Sequence, residues 1–206
     1  MKRNIRIIKF PVVLLIVVYT LSGCSPDNNF SIAGRVPDTS YDGEWMYLVP
    51  LVNAPLERVD SSLITNGTFQ FEGFVETPEI YIIRPKPLYR LSLQELLIVK
   101  EPGQTQAYLG ESSVTGGTAN NNLLHRWKEQ KTIFDKKHRL LQNSLANSDA
   151  EGEELIKKQL DSLRLEKNEY HYNFALNNND NVVGEMIIRF MKSSFTEEQK
   201  SNLSIK

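Results

Sequence analysis

Cysteine is nearly absent: Cys24 is the one thiol in 206 residues. That scarcity excludes an intrachain disulfide, a Cys-x-x-Cys redox pair and a cysteine-rich zinc site. Histidine is scarce as well, with only His125, His138 and His171, and no His-Glu-x-x-His accompanies them. A zinc protease therefore has no support. Neither sign of charge is in excess, with 24 Lys and Arg against 25 Asp and Glu, net −1. Nucleic-acid binding calls for Lys and Arg gathered on one face, and such a partner is excluded. Long apolar runs are missing too. The longest, residues 10–21, reaches about half of the roughly 20 apolar residues that a membrane-spanning helix needs.

That run has a context of its own. Lys2, Arg3, Arg6 and Lys9 precede it, and Leu21-Ser22-Gly23-Cys24 closes it. A basic start, a short apolar core and small residues before the cut mark a secretory signal peptide. The closing four residues resemble the lipobox of bacterial lipoproteins, in which the cysteine is acylated and becomes the mature N-terminus. The resemblance implies cleavage after Gly23, a palmitate-type acyl group on Cys24 and a bilayer as partner through that lipid. The mature chain is then expected in the cell envelope, anchored to a membrane and facing the periplasm or attached to the outer membrane. Without its four basic leader residues it carries a net charge of about −5.

Residues 24–29 read as a lipidated tether, residues 30–118 as a β domain and residues 119–206 as a helical region. In the β domain, short runs rich in β-branched and aromatic residues are punctuated by Gly, Pro, Asn and Asp. The expected strands are 30–36, 45–51, 57–65, 68–75, 80–84, 96–100 and 106–109. Residues 88–97 fit a strand pair or a one-turn helix equally. Asn66-Gly67 predicts a tight hairpin turn, because both residues tolerate positive φ at low cost. Seven short strands with regular turns predict a sandwich or barrel-like sheet.

Beyond Gly116-Gly117-Thr118, Gly and Pro thin out and the apolar period lengthens. Leu124, Trp127, Phe134, Leu141 and Leu145 share one helical face, with Lys131 and His138 in its gaps. Asn147-Ser148-Asp149 breaks this helix, and Ser148 with Glu151 fits a capping box that starts a second one. Ile156, Leu160, Leu163, Tyr170 and Phe174 form the second stripe. Two long helices joined by a short turn pack antiparallel. A shorter helix over 182–191 and a capped turn at Thr196 and Gln199 complete the chain. The expected fold class is α+β: a small antiparallel β-sandwich or barrel-like domain, then an antiparallel helical hairpin and short C-terminal helices.

Few residues suggest chemistry, and each has a plainer explanation. His125 and Glu129 stand one helical turn apart, the spacing of two metal ligands, yet also that of an ordinary surface pair. Asp60-Ser61-Ser62 has no nucleophile elbow around it and reads as a strand start. Glu151, Glu153 and Glu154 gather where carboxylates favour a helix dipole. Trp45, Tyr47, Tyr81, Tyr89 and Tyr108 suggest a stacking platform for a sugar or peptide, or simply core. No catalytic residue, metal or cofactor is expected, and Cys24 is the one assigned site.

A family resemblance rests on Phe30-Ser31-Ile32-Ala33-Gly34, Tyr47-Leu48, Asp60-Ser61-Ser62 and the run from Asn66 to Gly73. Glu101-Pro102-Gly103, Gly117-Thr118 and Asn120 complete it. Together they are similar to the domain of unknown function 4369 found in envelope lipoproteins of the Bacteroidetes type. In that family a helical spacer and then a thioredoxin-like domain commonly follow. Asn181-Val182-Val183-Gly184 looks like the end of such a spacer, and Lys206 falls where the thioredoxin-like domain would begin. The resemblance implies a non-catalytic binding or spacer module. Its alternative is the accessory half of a thioredoxin-like thiol-disulfide oxidoreductase, truncated or partnered in trans. Apolar surface left over on the helical hairpin is expected to self-associate, to dock a thioredoxin-like protein, or to fold back on the β domain.

Overall fold

The computed structural model describes residues 28–90 and 92–203, so Cys24 and the leader lie outside the described residues. Eight strands come first: β1 (Asn29–Arg35), β2 (Trp45–Pro50), β3 (Asp60–Leu63), β4 (Thr68–Phe74), β5 (Glu79–Pro85), β6 (Leu96–Lys100), β7 (Gly103–Tyr108) and β8 (Val114–Gly116). Four helices follow: α1 (Ala119–Leu145), α2 (Ala150–Leu176), α3 (Val182–Met191) and α4 (Glu197–Asn202). The fold is α+β, with two four-stranded sheets ordered β4-β1-β7-β8 and β3-β2-β5-β6. All pairings are antiparallel except that of β1 with β7.

Alternation builds the sandwich. Phe30 and Ile32 on β1, with Phe69 and Phe71 on β4, point inward from the first sheet. Met46, Leu48, Tyr81 and Ile83 meet them from β2 and β5 of the second. Each such side chain withdrawn from water stabilises the fold by about 1.5–3 kcal/mol. Gly34 is where β1 must lack a side chain, since a Cβ there would lie 2.0 Å from the Phe69 ring.

The Asn66-Gly67 turn forms with φ of 52° and 68°, but it is not the hairpin that the sequence predicts. Only the Thr65–Thr68 bridge joins its arms. Beyond that bridge β3 enters one sheet and β4 the other, so the turn is a corner between sheets. The strand expected over 57–65 is also shorter. Leu56–Arg58 forms a 3-10 turn behind Pro55, and pairing starts at Asp60. In 88–97 a 3-10 turn, Pro87–Tyr89, precedes β6 rather than a strand pair. A short strand that the sequence reading lacks, β8, closes the first sheet beside β7.

β6 explains how the helices attach. Its Leu96 and Ile98 point into the sandwich, whereas Leu97 and Val99 point to the outer face. Leu124 and Trp127 of α1 cover that outer face together with Val183, Met186 and Ile187 of α3. The architecture is therefore β/β/α in three layers, and the base of the hairpin folds back on the second sheet. α1 is 27 residues long, about 40 Å. Its buried residues, Asn121, Leu124, Trp127 and Phe134, all lie between Ala119 and Phe134, towards the sandwich. Within residues 135–162 none is buried, and the expected contact of Leu141 and Leu145 with Ile156 and Leu160 leaves all four half-exposed.

The cap of α2 also differs from expectation. Asp149, not Ser148, accepts the Gly152 N–H at 3.0 Å, and the Ser148 hydroxyl turns back to donate to the Leu145 carbonyl. A carboxylate there also serves the helix dipole, which a hydroxyl does not. The Thr196–Gln199 capping box of α4 forms in full. α3 can lie against the end of α2 because of Gly184, whose added Cβ would stand 1.7 Å from the Asn178 carbonyl oxygen. Gly184→Ala is expected to cost about 2–3 kcal/mol, as overpacking against backbone does. A urea midpoint equal to that of the parent chain would show that α3 sits elsewhere.

Candidate functional site

Two places hold the polar groups that the fold has withdrawn from water, and a third holds charges left over. The first is the joint between sandwich and helices. β6 is an edge strand, so the backbone N–H and C=O of Val99 have no strand beside them. The Asn121 carboxamide takes that place: its Oδ1 accepts the Val99 N–H at 2.9 Å and its Nδ2 donates to the Val99 carbonyl at 2.8 Å. Nδ2 also lies 2.8 Å from the Thr118 hydroxyl and 3.2 Å from that of Thr105. Thr118 stands at the N-cap of α1 but makes no capping bond with its side chain. Glu101 does this from the neighbouring strand end, accepting the Asn120 N–H at 3.0 Å and the Asn121 N–H at 3.2 Å. The Thr118 hydroxyl and the Asn120 amide donate to the same carboxylate. A buried acid facing a helix N-terminus is thus fully hydrogen-bonded, and this network is a fastening.

The second place is the core of the helical layer. His171 is fully buried, and the Trp127 Nε1–H donates to its Nδ1 at 3.1 Å. Nδ1 is then the acceptor and the ring proton sits on Nε2, which meets no hydrogen-bond partner among the described residues. The rings of Phe134 and Tyr170 close around it. Burial, reinforced by Lys167 and Lys131, pushes the imidazole down to about 4. At neutral pH it is an uncharged packing residue.

The third place is a pair of open clefts. One, of about 530 Å3, lies at the end of the sandwich where β1 begins. Lys100 Nζ stands 4.6 Å from the Tyr81 ring centroid and 5.1 Å from that of Phe30. Lys100 and Arg58 both donate to the Tyr81 hydroxyl at 3.2 Å, and Arg58 also pairs with Glu79. Both cations are engaged within the fold, and Glu57, Asp60, Glu72 and Glu76 remain on the rim. The other cleft, of about 520 Å3, runs between α1, the β6 edge and α3. Here Lys128 is half-buried, and its one hydrogen bond is to the Ser113 carbonyl at 3.3 Å. Burial pulls its amine down to about 8.

Residues singled out from the sequence are scattered. His125 lies 3.4 Å from Glu129 as a surface pair, His138 is exposed and His171 is the buried one. Among the described residues no group of three or more His, Cys, Asp or Glu can hold a metal ion. Asp60 and Ser61 lie on edge strand β3, and the Ser62 hydroxyl accepts the Gln70 N–H of β4. Glu153 and Glu154 pair with Lys157 and Lys158 along α2. The aromatic platform does not assemble. Tyr81 is buried in the sandwich, Tyr89 packs edge-on against Tyr41, and Tyr108 lies on a different sheet from Trp45 and Tyr47. Glu101, Asn121 and Lys128 are the residues that the sequence reading passed over. Glu101 enters that reading only within Glu101-Pro102-Gly103 of the family resemblance, and Asn121 only as the neighbour of Asn120.

No curated protein and no solved structure matches the chain. Residues 30–124 match the model of the family described as Domain of unknown function (DUF4369). That span covers the sandwich and the start of α1, with Glu101, Thr118 and Asn121 inside it, and it is a DUF4369 domain.

Proposed function

We propose that the protein is a lipid-tethered module of the cell envelope that binds and spaces rather than catalyses. The observation that carries this reading is the joint. Glu101 and Asn121 lock α1 onto the sandwich, so the distal half of the hairpin is a stiff arm on a rigid base. A spacer needs that stiffness, and the buried polar groups of the joint are all engaged within the fold. The tether rests on the lipobox-like Leu21 to Cys24. No described helix is long and apolar enough to cross a membrane, and the proposed attachment is the acyl chain on Cys24.

A second reading makes the chain the accessory half of a thioredoxin-like thiol-disulfide oxidoreductase that acts through a partner. Ile133, Leu140, Leu155 and Leu165, exposed along the hairpin, favour it, because they offer a surface for self-association or for a thioredoxin-like protein. Light scattering on the acyl-free chain, alone and with such a protein, separates the two readings. A monomer that binds none leaves the spacer.

Cys24→Ser is expected to abolish acylation and move the protein from the membrane fraction to the soluble one. Intact-mass measurement of the parent chain should show cleavage before Cys24 and the added acyl mass. A cleaved but unmodified chain would sink the tether.

A further inference from the structure

We propose that the cleft between α1, the β6 edge and α3 binds a small amphiphilic anion, a carboxylate or phosphate head on an apolar body. Its volume, about 520 Å3, lies within the range of small-ligand sites. Lys128, Thr132, Asp135, Lys136 and Arg139 line it from one face of α1, following the helical steps of three and four. Leu97, Trp127, Phe190 and Met191 supply the apolar side.

What identifies the ligand is how the charges are spent. Asp135 is held by Lys131 and Lys167, and Glu95 is held by Arg84 and Arg90. Both acids of the cleft are therefore neutralised from within the fold. Lys128, Lys136 and Arg139 form no ion pair among the described residues, which leaves three cations along about 16 Å of helix. The cleft at Lys100 and Arg58 is the converse, with its cations engaged and Glu57, Asp60 and Glu76 on its rim in no ion pair among the described residues. Lys128 has already lost much of its hydration and has one neutral acceptor in return, so an arriving anion stabilises its charged form. A bare inorganic ion would leave Phe190, nearly half exposed, without a contact, and a neutral apolar molecule would leave the three cations unanswered. The two together select an amphiphile. The site is independent of the tether, since a chain with unmodified Cys24 would bind equally.

The two tryptophans, Trp45 and Trp127, make the test specific. Trp45→Phe leaves Trp127, in the wall of the cleft, as the one reporter. The purified chain is titrated with decanoate and with decyl phosphate below their micelle concentrations. Decanol and decyltrimethylammonium serve as uncharged and cationic controls. A saturable change in Trp127 emission with the anions is expected. Lys128→Met and Arg139→Gln should each weaken binding about tenfold, the loss of one charge-assisted contact, with the unfolding midpoint unchanged. Lys128→Arg should retain it. Calorimetry on the same solutions reports any ligand that binds without disturbing the indole.

Phosphatidylglycerol vesicles separate the sources. Binding to vesicles alone, lost in Lys128→Met, assigns the site to lipid headgroups, and binding of the free anions assigns it to soluble ones. The proposal is overturned by no saturable signal or heat, by decanol or decyltrimethylammonium binding as tightly, or by affinity untouched in both variants. A response seen only from Trp45 in the Trp127→Phe chain would place the probe on the sheet face and overturn it too.

Discussion

Asn121→Leu is expected to lower the free energy of unfolding by about 3–5 kcal/mol, although leucine is the better helix former and nearly equal in size. The side chain is fully buried, so nothing replaces what its carboxamide does. Without it the Val99 N–H and C=O lose their partner, and two buried backbone groups cost roughly 1–3 kcal/mol each. Glu101 keeps the two backbone N–H groups of α1, which is why the loss should stop short of unfolding the joint. Against a total stability of about 5–15 kcal/mol, the change is a large share. Asn121→Asp should be at least as damaging. It keeps an acceptor for the Val99 N–H, removes the donor to the Val99 carbonyl and sets a second carboxylate beside Glu101. Urea titrations of the parent and both variants check this. A loss below about 1 kcal/mol for Asn121→Leu would mean that the sheet edge finds other partners, and that the joint is weaker than its geometry.

The joint also marks where the sequence stops being readable. Strand β6 was legible, because Leu96-Leu97-Ile98-Val99 is a continuous apolar run, the pattern of a strand covered on both faces. Which layer covers the second face was not, since periodicity within α1 says that a stripe exists and not what it meets. The stripe read from the sequence, Leu124, Trp127, Phe134, Leu141 and Leu145, is buried only at its first three positions, and Leu124 and Trp127 meet the sheet and α3 rather than the α2 stripe alone. Asn121 was invisible for a different reason. Asparagine near a helix start reads as capping or solvent, and only the unpaired edge of a strand twenty residues earlier gives it another task. The Asn66-Gly67 turn shows the same limit. Local chemistry specified its dihedral angles, while the choice between hairpin and inter-sheet corner belongs to the packing of Phe69 and Phe71 against the opposite sheet. Lys128 was passed over because a single lysine on a helix is unremarkable until the fold puts a wall on either side.

His171 gives the remaining large effect, a dependence of stability on acid. Of the stripe Ile156, Leu160, Leu163, Tyr170 and Phe174 read for α2, Leu163 alone is buried, and the other buried positions, His171 and Ala175, lie beside Tyr170 and Phe174. α2 is packed by α1 and by α3 at once, which moves its buried face and puts an imidazole at the centre. The folded chain holds that imidazole near 4, below the ordinary 6.5, through burial and then through Lys167 and Lys131, with Asp135 opposing. Above pH 6.5 the ring is neutral in both states and contributes no slope. Between 6.5 and 4 only the unfolded chain takes up the proton, so stability falls as the solution is acidified. The loss reaches about 3 kcal/mol near pH 4 and levels off below it, where both states are protonated. His171→Gln should cost about 1 kcal/mol at pH 7, because glutamine can still accept the Trp127 N–H but packs less well against Phe134 and Tyr170. The variant should lack the histidine slope. Carboxylates such as Asp135 titrate in both proteins and cancel in the difference. The gap between parent and variant is therefore expected to close, and then to invert, as pH falls from 7 to 4.5. Urea midpoints followed by tryptophan emission across that range provide the measurement, and two curves that stay parallel would show that His171 is not held neutral by the fold.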